Sequence, residues 1–141
     1  MRFMMLMIPA AYQGANGAQL AEGFAPDAEM VAKMMKFNED LASAGALISL
    51  DGLQPASKGA RITFGCGVGT VLDGPFPETK EVIGGYWMIR VASKQEALDW
   101  AVRCPAQDGD VIELRQVFDM EDFPADVQAA ADSDIVRSQI S

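Results

Sequence analysis

Short apolar runs alternate with longer amphipathic stretches along this chain, and the pattern predicts both strands and helices. Apolar side chains occupy nearly every position of Arg2–Ile8, which is typical of a central strand covered on both faces. Between Asp27 and Ala44 the apolar positions, from Met30 to Leu41, recur every three or four residues. That spacing places them on one face of a helix. The first part of the chain therefore predicts a strand followed by a helix.

The rest of the pattern predicts a second helix and five more strands, two of which form a hairpin. Ser93 and Glu96 match a capping box, so a helix begins there and ends at about Arg103. The glycine-rich stretch Gly65–Gly67 indicates the turn of the hairpin. Strands are predicted at Ala46–Leu50, Ala60–Phe64, Val68–Leu72, Gly85–Val91 and Asp110–Phe118, with Asp51–Gly52 as the turn after the first of these.

The resulting order, β-α-β-(ββ)-β-α-β, predicts an α+β fold of the ferredoxin-like kind. Helices cover only one face of such a sheet, so its other apolar face needs a cover. A second copy of the chain would supply one, which predicts a homodimer. We expect one domain over residues 1–123 and an acidic C-terminal tail over residues 124–141, where Ala125–Ala131 favours a short helix.

The densest combination of ionisable groups and stiff backbone is the turn that follows the second hairpin strand. Gly74 and Pro75 restrict the backbone directly after Asp73. This predicts a carboxylate held at a strand end, where it can serve as a general base. The alternative is turn chemistry, in which the side chain of Asp73 only bonds nearby backbone N–H groups.

Basic residues on both sides of this turn suggest a site for a small anionic metabolite. Lys58, Arg61 and Lys80 can hold a carboxylate or a phosphate, and Glu81 is close behind. The alternative is a set of solvated surface charges that contribute little to stability. Tyr86 is the aromatic candidate for the same site, since Tyr86 and Trp87 point to opposite faces of one strand. One of the two packs under the helices and the other faces the cleft or the dimer interface. Tyr12, in the first long connection, is a candidate to close over a pocket.

Composition excludes several classes of function. The net charge of −9, from 11 basic and 20 acidic residues, argues against binding to nucleic acid or to anionic membranes. No apolar run approaches the roughly 20 residues of a membrane span. The short run Phe3–Ile8 fits a buried strand better than a signal peptide.

Because the chain has no histidine, Ser-His and Cys-His catalytic pairs and His-ligated zinc are impossible. We expect neither a metal nor a cofactor, although a carboxylate-only Mg²⁺ or Mn²⁺ site stays open. The two cysteines, Cys66 and Cys104, are far apart in sequence and favour reduced thiols in a cytoplasmic protein, with a disulfide between them as the alternative.

Several short motifs, in the same order along the chain, closely resemble those of the YCII-related, DGPF-domain family. They include Phe37-Asn38-Glu39-Asp40-Leu41, Asp51-Gly52-Leu53, Ser57-Lys58-Gly59-Ala60-Arg61, Asp73-Gly74-Pro75-Phe76, Glu78-Thr79-Lys80-Glu81, Gly84-Gly85-Tyr86-Trp87 and Glu96-Ala97-Leu98-Asp99-Trp100-Ala101. The resemblance implies a dimeric α/β-barrel of ferredoxin-like protomers, with a cleft lined by the sheet and one helix. Shorter members of the family carry a His-Asp pair, and this chain lacks the histidine.

Three classes of function follow from these observations. The first is a cofactor-independent enzyme for small molecules, with Asp73 as the base. The second is a protein that binds a small metabolite in the same cleft without turnover. The third is a regulatory interaction protein, because some relatives of the DGPF type are associated with extracytoplasmic-function sigma factors.

Overall fold

The computed structural model describes residues 1–13, 27–74 and 81–140. Its strands are β1 (Arg2–Ile8), β2 (Leu47–Gly52), β3 (Ala60–Gly65), β4 (Val68–Asp73), β5 (Gly85–Arg90) and β6 (Val111–Gln116). Its helices are α1 (Ala28–Ser43), α2 (Lys94–Val102), α3 (Ala125–Ala130) and α4 (Asp134–Ile140). Short 3₁₀ turns lie at Ala10–Tyr12, Ala56–Lys58 and Met120–Asp122. The predicted mixed α+β class is confirmed.

The main sheet has four antiparallel strands in the order β2-β5-β1-β6, and β3 and β4 form a separate two-stranded hairpin. With the hairpin set aside, the sheet consists of two β-α-β units whose first strands are neighbours at its centre. This topology is compatible with the ferredoxin-like fold. The hairpin is an insertion between the two units, as the sequence pattern predicts.

Helices begin where the sequence provides a cap. The carboxylate of Asp27 accepts a hydrogen bond from the N–H of Met30 at 2.7 Å, which satisfies a backbone donor in the first turn of α1. Ser93 does the same for Glu96 at 3.1 Å, and the Glu96 carboxylate reaches back to the N–H of Ala92 at 2.8 Å. Both predicted helices therefore lie within one or two residues of their expected bounds.

The core lies between the sheet and α1 and α2. One face of the two central strands is buried against Phe37 and Leu41 of α1 and Ala97 of α2. The sheet side chains that pack there are Phe3, Met5, Trp87 and Ile89. Trp87 packs its ring edge-on to Phe37, with ring centres 5.8 Å apart. Tyr86 lies on the opposite face, so the predicted division of the two aromatic side chains is confirmed.

One predicted turn is wrong. Asp51 and Gly52 were expected to leave the sheet, but they are the last two residues of β2. They stay in the sheet because each is paired with β5, Asp51 with Tyr86 and Gly52 with Gly85. Within the described ranges, the longest helix has 16 residues, and none is long and apolar enough to cross a membrane.

Candidate functional site

Asp73 ends strand β4 at the base of the hairpin, and its carboxylate is exposed. The next residue, Gly74, is clamped against the 3₁₀ turn at Ala56–Lys58. Its N–H donates to the carbonyl of Gly59 at 2.9 Å, and a Cβ added there would lie 1.8 Å from the carbonyl oxygen of Ala56. Only glycine permits this approach. The backbone of Asp73 is thus held in place while its side chain reaches solvent.

The strand register separates Asp73 from Arg61. Asp73 is opposite Ala60, and Arg61 is opposite Leu72. Successive side chains of a strand point to opposite faces, so the carboxylate and the guanidinium group lie on different faces of the hairpin. Lys58 is exposed beside the clamp, one residue before Gly59. The structure therefore places Lys58 at the base of the hairpin, close in sequence to the segment that contacts Gly74. The side chain of Arg61 lies on the other face from Asp73.

The remaining predicted site residues are distributed elsewhere. Lys80 lies outside the described residues. Glu81, the first residue of the described range 81–140, is exposed. Tyr86 belongs to the main sheet, where its hydroxyl donates to the Asp51 carboxylate at 3.1 Å. That hydrogen bond and the negative charge of Asp51 raise the pKa of Tyr86 above its usual value, because both stabilise the protonated phenol. Tyr86 is thus engaged with the edge of the sheet rather than with the Asp73 turn.

A cavity of about 320 Å³ lies between the C-terminal end of β1, the 3₁₀ turn that follows it and the first half of α1. Tyr12, the candidate to close over a pocket, is one of the residues that line it. Its wall also includes Met34 and Asn38 of α1 and Gly84 before β5. This cavity, bounded by the sheet and one helix, is a further candidate site among the described residues.

Sequence reasoning missed Asn38 as a cavity residue, although a signal was present. Asn38 follows Met30 and Met34 at steps of four, so it continues the apolar stripe of α1 with a polar amide. A polar side chain on such a stripe needs a partner. Asn38 finds one in the indole N–H of Trp87, which donates to its side-chain oxygen at 2.7 Å. Met30 and Met34, on the predicted apolar face of α1, also line the cavity.

The described residues show the surroundings of both thiols and whether any side chains group closely enough to hold a metal ion. Burial, with a smaller effect from the negative charge of Asp110, raises the pKa of the Cys104 thiol to about 11. Cys104 is therefore protonated at neutral pH and a poor nucleophile. Cys66 is exposed in the hairpin turn, and both cysteines are free. Across residues 1–13, 27–74 and 81–140, no group of three or more Cys, Asp and Glu side chains could hold a metal ion.

The family of the chain follows from its sequence match as a whole. A sequence model of the YCII-related domain matches residues 1–121, which is most of the chain, so this protein belongs to the YCII-related domain family. A similar protein is the uncharacterized protein R00369 of Rhizobium meliloti (strain 1021), which is 43% identical over 58 residues. The match spans 41% of this chain and 47% of that protein. The predicted family is confirmed, and the relative brings no named activity with it.

Proposed function

We propose that this protein is a cytoplasmic homodimer that acts on a small anionic metabolite as a cofactor-independent enzyme, with the carboxylate of Asp73 as general base. The observation that carries the proposal is the clamp at Gly74, by which we mean its hydrogen bond to Gly59 and its close approach to the backbone of Ala56. It holds Asp73 at a defined position on the hairpin, and a general base needs a fixed position relative to the proton that it removes. Lys58, beside the clamp, supplies a positive charge for the substrate.

The same proposal gives Arg61, Lys80 and Glu81 roles in binding the substrate from neighbouring positions. Arg61 reaches the substrate from the other face of the hairpin or from a second protomer, since the register separates it from Asp73. Tyr86 contributes through the sheet surface that a partner protomer would cover. The free thiols of Cys66 and Cys104 fit a reducing compartment.

The test is conversion of small organic acids and neutral metabolites by the whole protein, followed by mass spectrometry. We expect the wild-type protein to consume at least one compound and Asp73→Asn to lose about 100-fold or more of that rate, the usual effect of removing a general base. Asp108→Asn is the matched control, since it removes an exposed carboxylate from another turn. Equal rates in wild type and Asp73→Asn would contradict the role of Asp73.

A thermal-shift screen of the same compounds separates enzyme from binding protein. A compound that stabilises wild type but is never converted favours a protein that binds a metabolite without turnover. The second candidate, a regulatory partner of an extracytoplasmic-function sigma factor, is favoured by the exposed apolar side chains of the hairpin. Phe64 is 81% exposed, and Ile62 and Val71 beside it are also exposed. If no compound is converted and none stabilises the protein, the regulatory candidate is favoured.

A further inference from the structure

We propose that the cavity beside Tyr12 binds a neutral, largely apolar small molecule that carries one hydrogen-bond acceptor, such as a ketone, ester or lactone oxygen. The inference goes beyond the proposed function, because the cavity contains none of the residues placed at the Asp73 turn. Its chemistry also differs from that of an anion site. Three properties of the wall support it, namely its apolar surface, the hydrogen-bond donors that its polar side chains carry, and its charge.

Most of the wall is apolar. At about 320 Å³ the cavity is at the lower end of the range for small-molecule sites, which is roughly 300–1,000 Å³. Methionine side chains are unbranched and polarisable, so they adapt to the shape of a flat or irregular ligand. The apolar wall consists of Met7, Pro9, Ala11, Met30, Val31, Met34 and Met35.

The polar groups of the wall can donate hydrogen bonds. The side-chain oxygen of Asn38 already accepts from the indole N–H of Trp87 at 2.7 Å. The same amide carries an NH₂ group, which only donates, and Asn38 lines the cavity. The hydroxyl of Tyr12 is the second donor. An acceptor oxygen on the ligand has two lone pairs and would accept from both groups, whereas a purely apolar ligand would leave them without a partner.

The charge of the wall disfavours an anion. Among the described residues that line the cavity there is no Lys or Arg, and the one carboxylate belongs to Asp110. Both of its oxygens are occupied, since they accept from the backbone N–H groups of Ala10 and Gln107, each at 2.9 Å. Asp110 therefore ties the 3₁₀ turn to the start of β6. It would also repel a carboxylate or phosphate that entered the cavity, and none of the described lining residues carries a positive charge to offset the repulsion.

The wall is preformed by contacts between distant segments. The side-chain amide of Gln13 donates to the carbonyl of Val82 at 3.0 Å and accepts from its N–H at 2.9 Å. The N–H of Gly84 donates to the carbonyl of Met7 at 2.8 Å. A Cβ added to Gly84 would lie 2.5 Å from Cγ of Pro9, so a glycine is needed for this close approach. A site held in this way loses little conformational freedom when it binds a ligand.

The test compares three probes that share one ring system and differ only in the substituent. Calorimetric titration of the full-length protein with acetylnaphthalene, naphthoate and ethylnaphthalene reports the effects of the acceptor and of the charge separately. We expect acetylnaphthalene to bind about tenfold more tightly than ethylnaphthalene, the difference that one hydrogen bond makes. Naphthoate should bind more weakly than either. Binding of naphthoate as tight as that of the ketone would overturn the inference.

Two variants locate the binding in the cavity. Asn38→Asp keeps the acceptor for Trp87 but removes the NH₂ donor, so it should weaken ketone binding about tenfold. Met34→Trp fills the cavity and should abolish binding, whereas Ile135→Trp on the terminal helix should not. Ketone binding that is unchanged in Asn38→Asp overturns the inference, even where Met34→Trp fails to fold. Asp73→Asn should bind the ketone as wild type does, so loss of turnover in that variant is distinguishable from failure of this site.

Discussion

The two cysteines lie in opposite surroundings, and their reactivity should differ accordingly. Cys66 is exposed in the hairpin turn, at a φ of 52°. Cys104 packs against the core behind the end of α2, where burial and the charge of Asp110 raise its pKa to about 11. Only the thiolate attacks an electrophile. The environment of each thiol therefore decides which one a reagent reaches.

A thiol with a pKa of about 11 carries roughly 300-fold less thiolate at neutral pH than an ordinary thiol of pKa about 8.5. We therefore expect a maleimide to label one thiol per chain quickly, with Cys104 at least about 100-fold slower. The slow rate should rise with pH up to about 11, since deprotonation is what limits it. Intact-mass spectrometry of Cys66→Ser and Cys104→Ala separates the two rates. Equal labelling of both cysteines at neutral pH would contradict the raised pKa of Cys104.

At the level of single residues, the sequence correctly predicted which side chains share a face of a strand, because that depends only on strand alternation. Trp87 and Tyr86 divide between the two faces of β5 because their separation in sequence is one residue. The cavity was not predictable in the same way. Its wall joins β1, the 3₁₀ turn, α1 and the segment before β5, which lie far apart in sequence. Only Tyr12, by its place in a connection, and Asn38, by its place on an apolar stripe, gave a signal.

At the scale of elements, the hairpin shows how a correct prediction of structure leaves a site incomplete. Both strands were predicted within one residue of their bounds. The charges beside Asp73 were expected to gather around it from their closeness in sequence, but the register of β3 and β4 puts Arg61 on the other face. Register depends on how the two strands pair, and the turn Gly65–Gly67 permits more than one pairing. The clamp at Gly74 is a contact with another segment, which no local pattern reveals.

Gly74→Ala should loosen the hairpin from the rest of the protein. The added Cβ meets backbone atoms of Ala56, which cannot rotate away, so either the turn or the clamp must move. Overpacking of this kind costs about 1–3 kcal/mol. We expect tryptic cleavage after Arg61 to accelerate by about tenfold or more, because proteolysis of a fast-opening segment follows its opening free energy. The measurement is the rate of cleavage in the folded protein.

The matched control for this change lies in the same hairpin. An added Cβ at Gly65 meets no atom within 4 Å, so Gly65→Ala should leave tryptic cleavage close to the wild-type rate. If both variants are cleaved at the wild-type rate, the contact between Gly74 and Ala56 does not hold the hairpin, and the fixed position of Asp73 loses its support.

At the scale of the whole molecule, the two faces of the main sheet differ in how far they are covered by other parts of the chain. The helix-covered face contains the core, where Met5, Leu41 and Ile89 are fully buried. The other face carries Met4, Leu6 and Met88 on its central strands, and these side chains remain partly exposed in one chain. Charged groups flank them at one end of the central strands, where Arg2 is paired with Arg90, and on the edge strands, such as Asp51 on β2 and Glu113 on β6. An apolar strip with a charged rim is the arrangement of a protein–protein interface.

This arrangement predicts that the protein is a dimer whose protomers pack sheet against sheet. Light scattering at micromolar concentration should give the mass of two chains of 15.1 kDa. Met88→Lys places a charge at the centre of the strip, where it would be buried without a partner, so the variant should shift to monomer. Ile135→Lys changes an exposed apolar residue on α4 and should remain a dimer. A wild-type monomer would remove the dimeric barrel and leave the apolar strip without its expected cover.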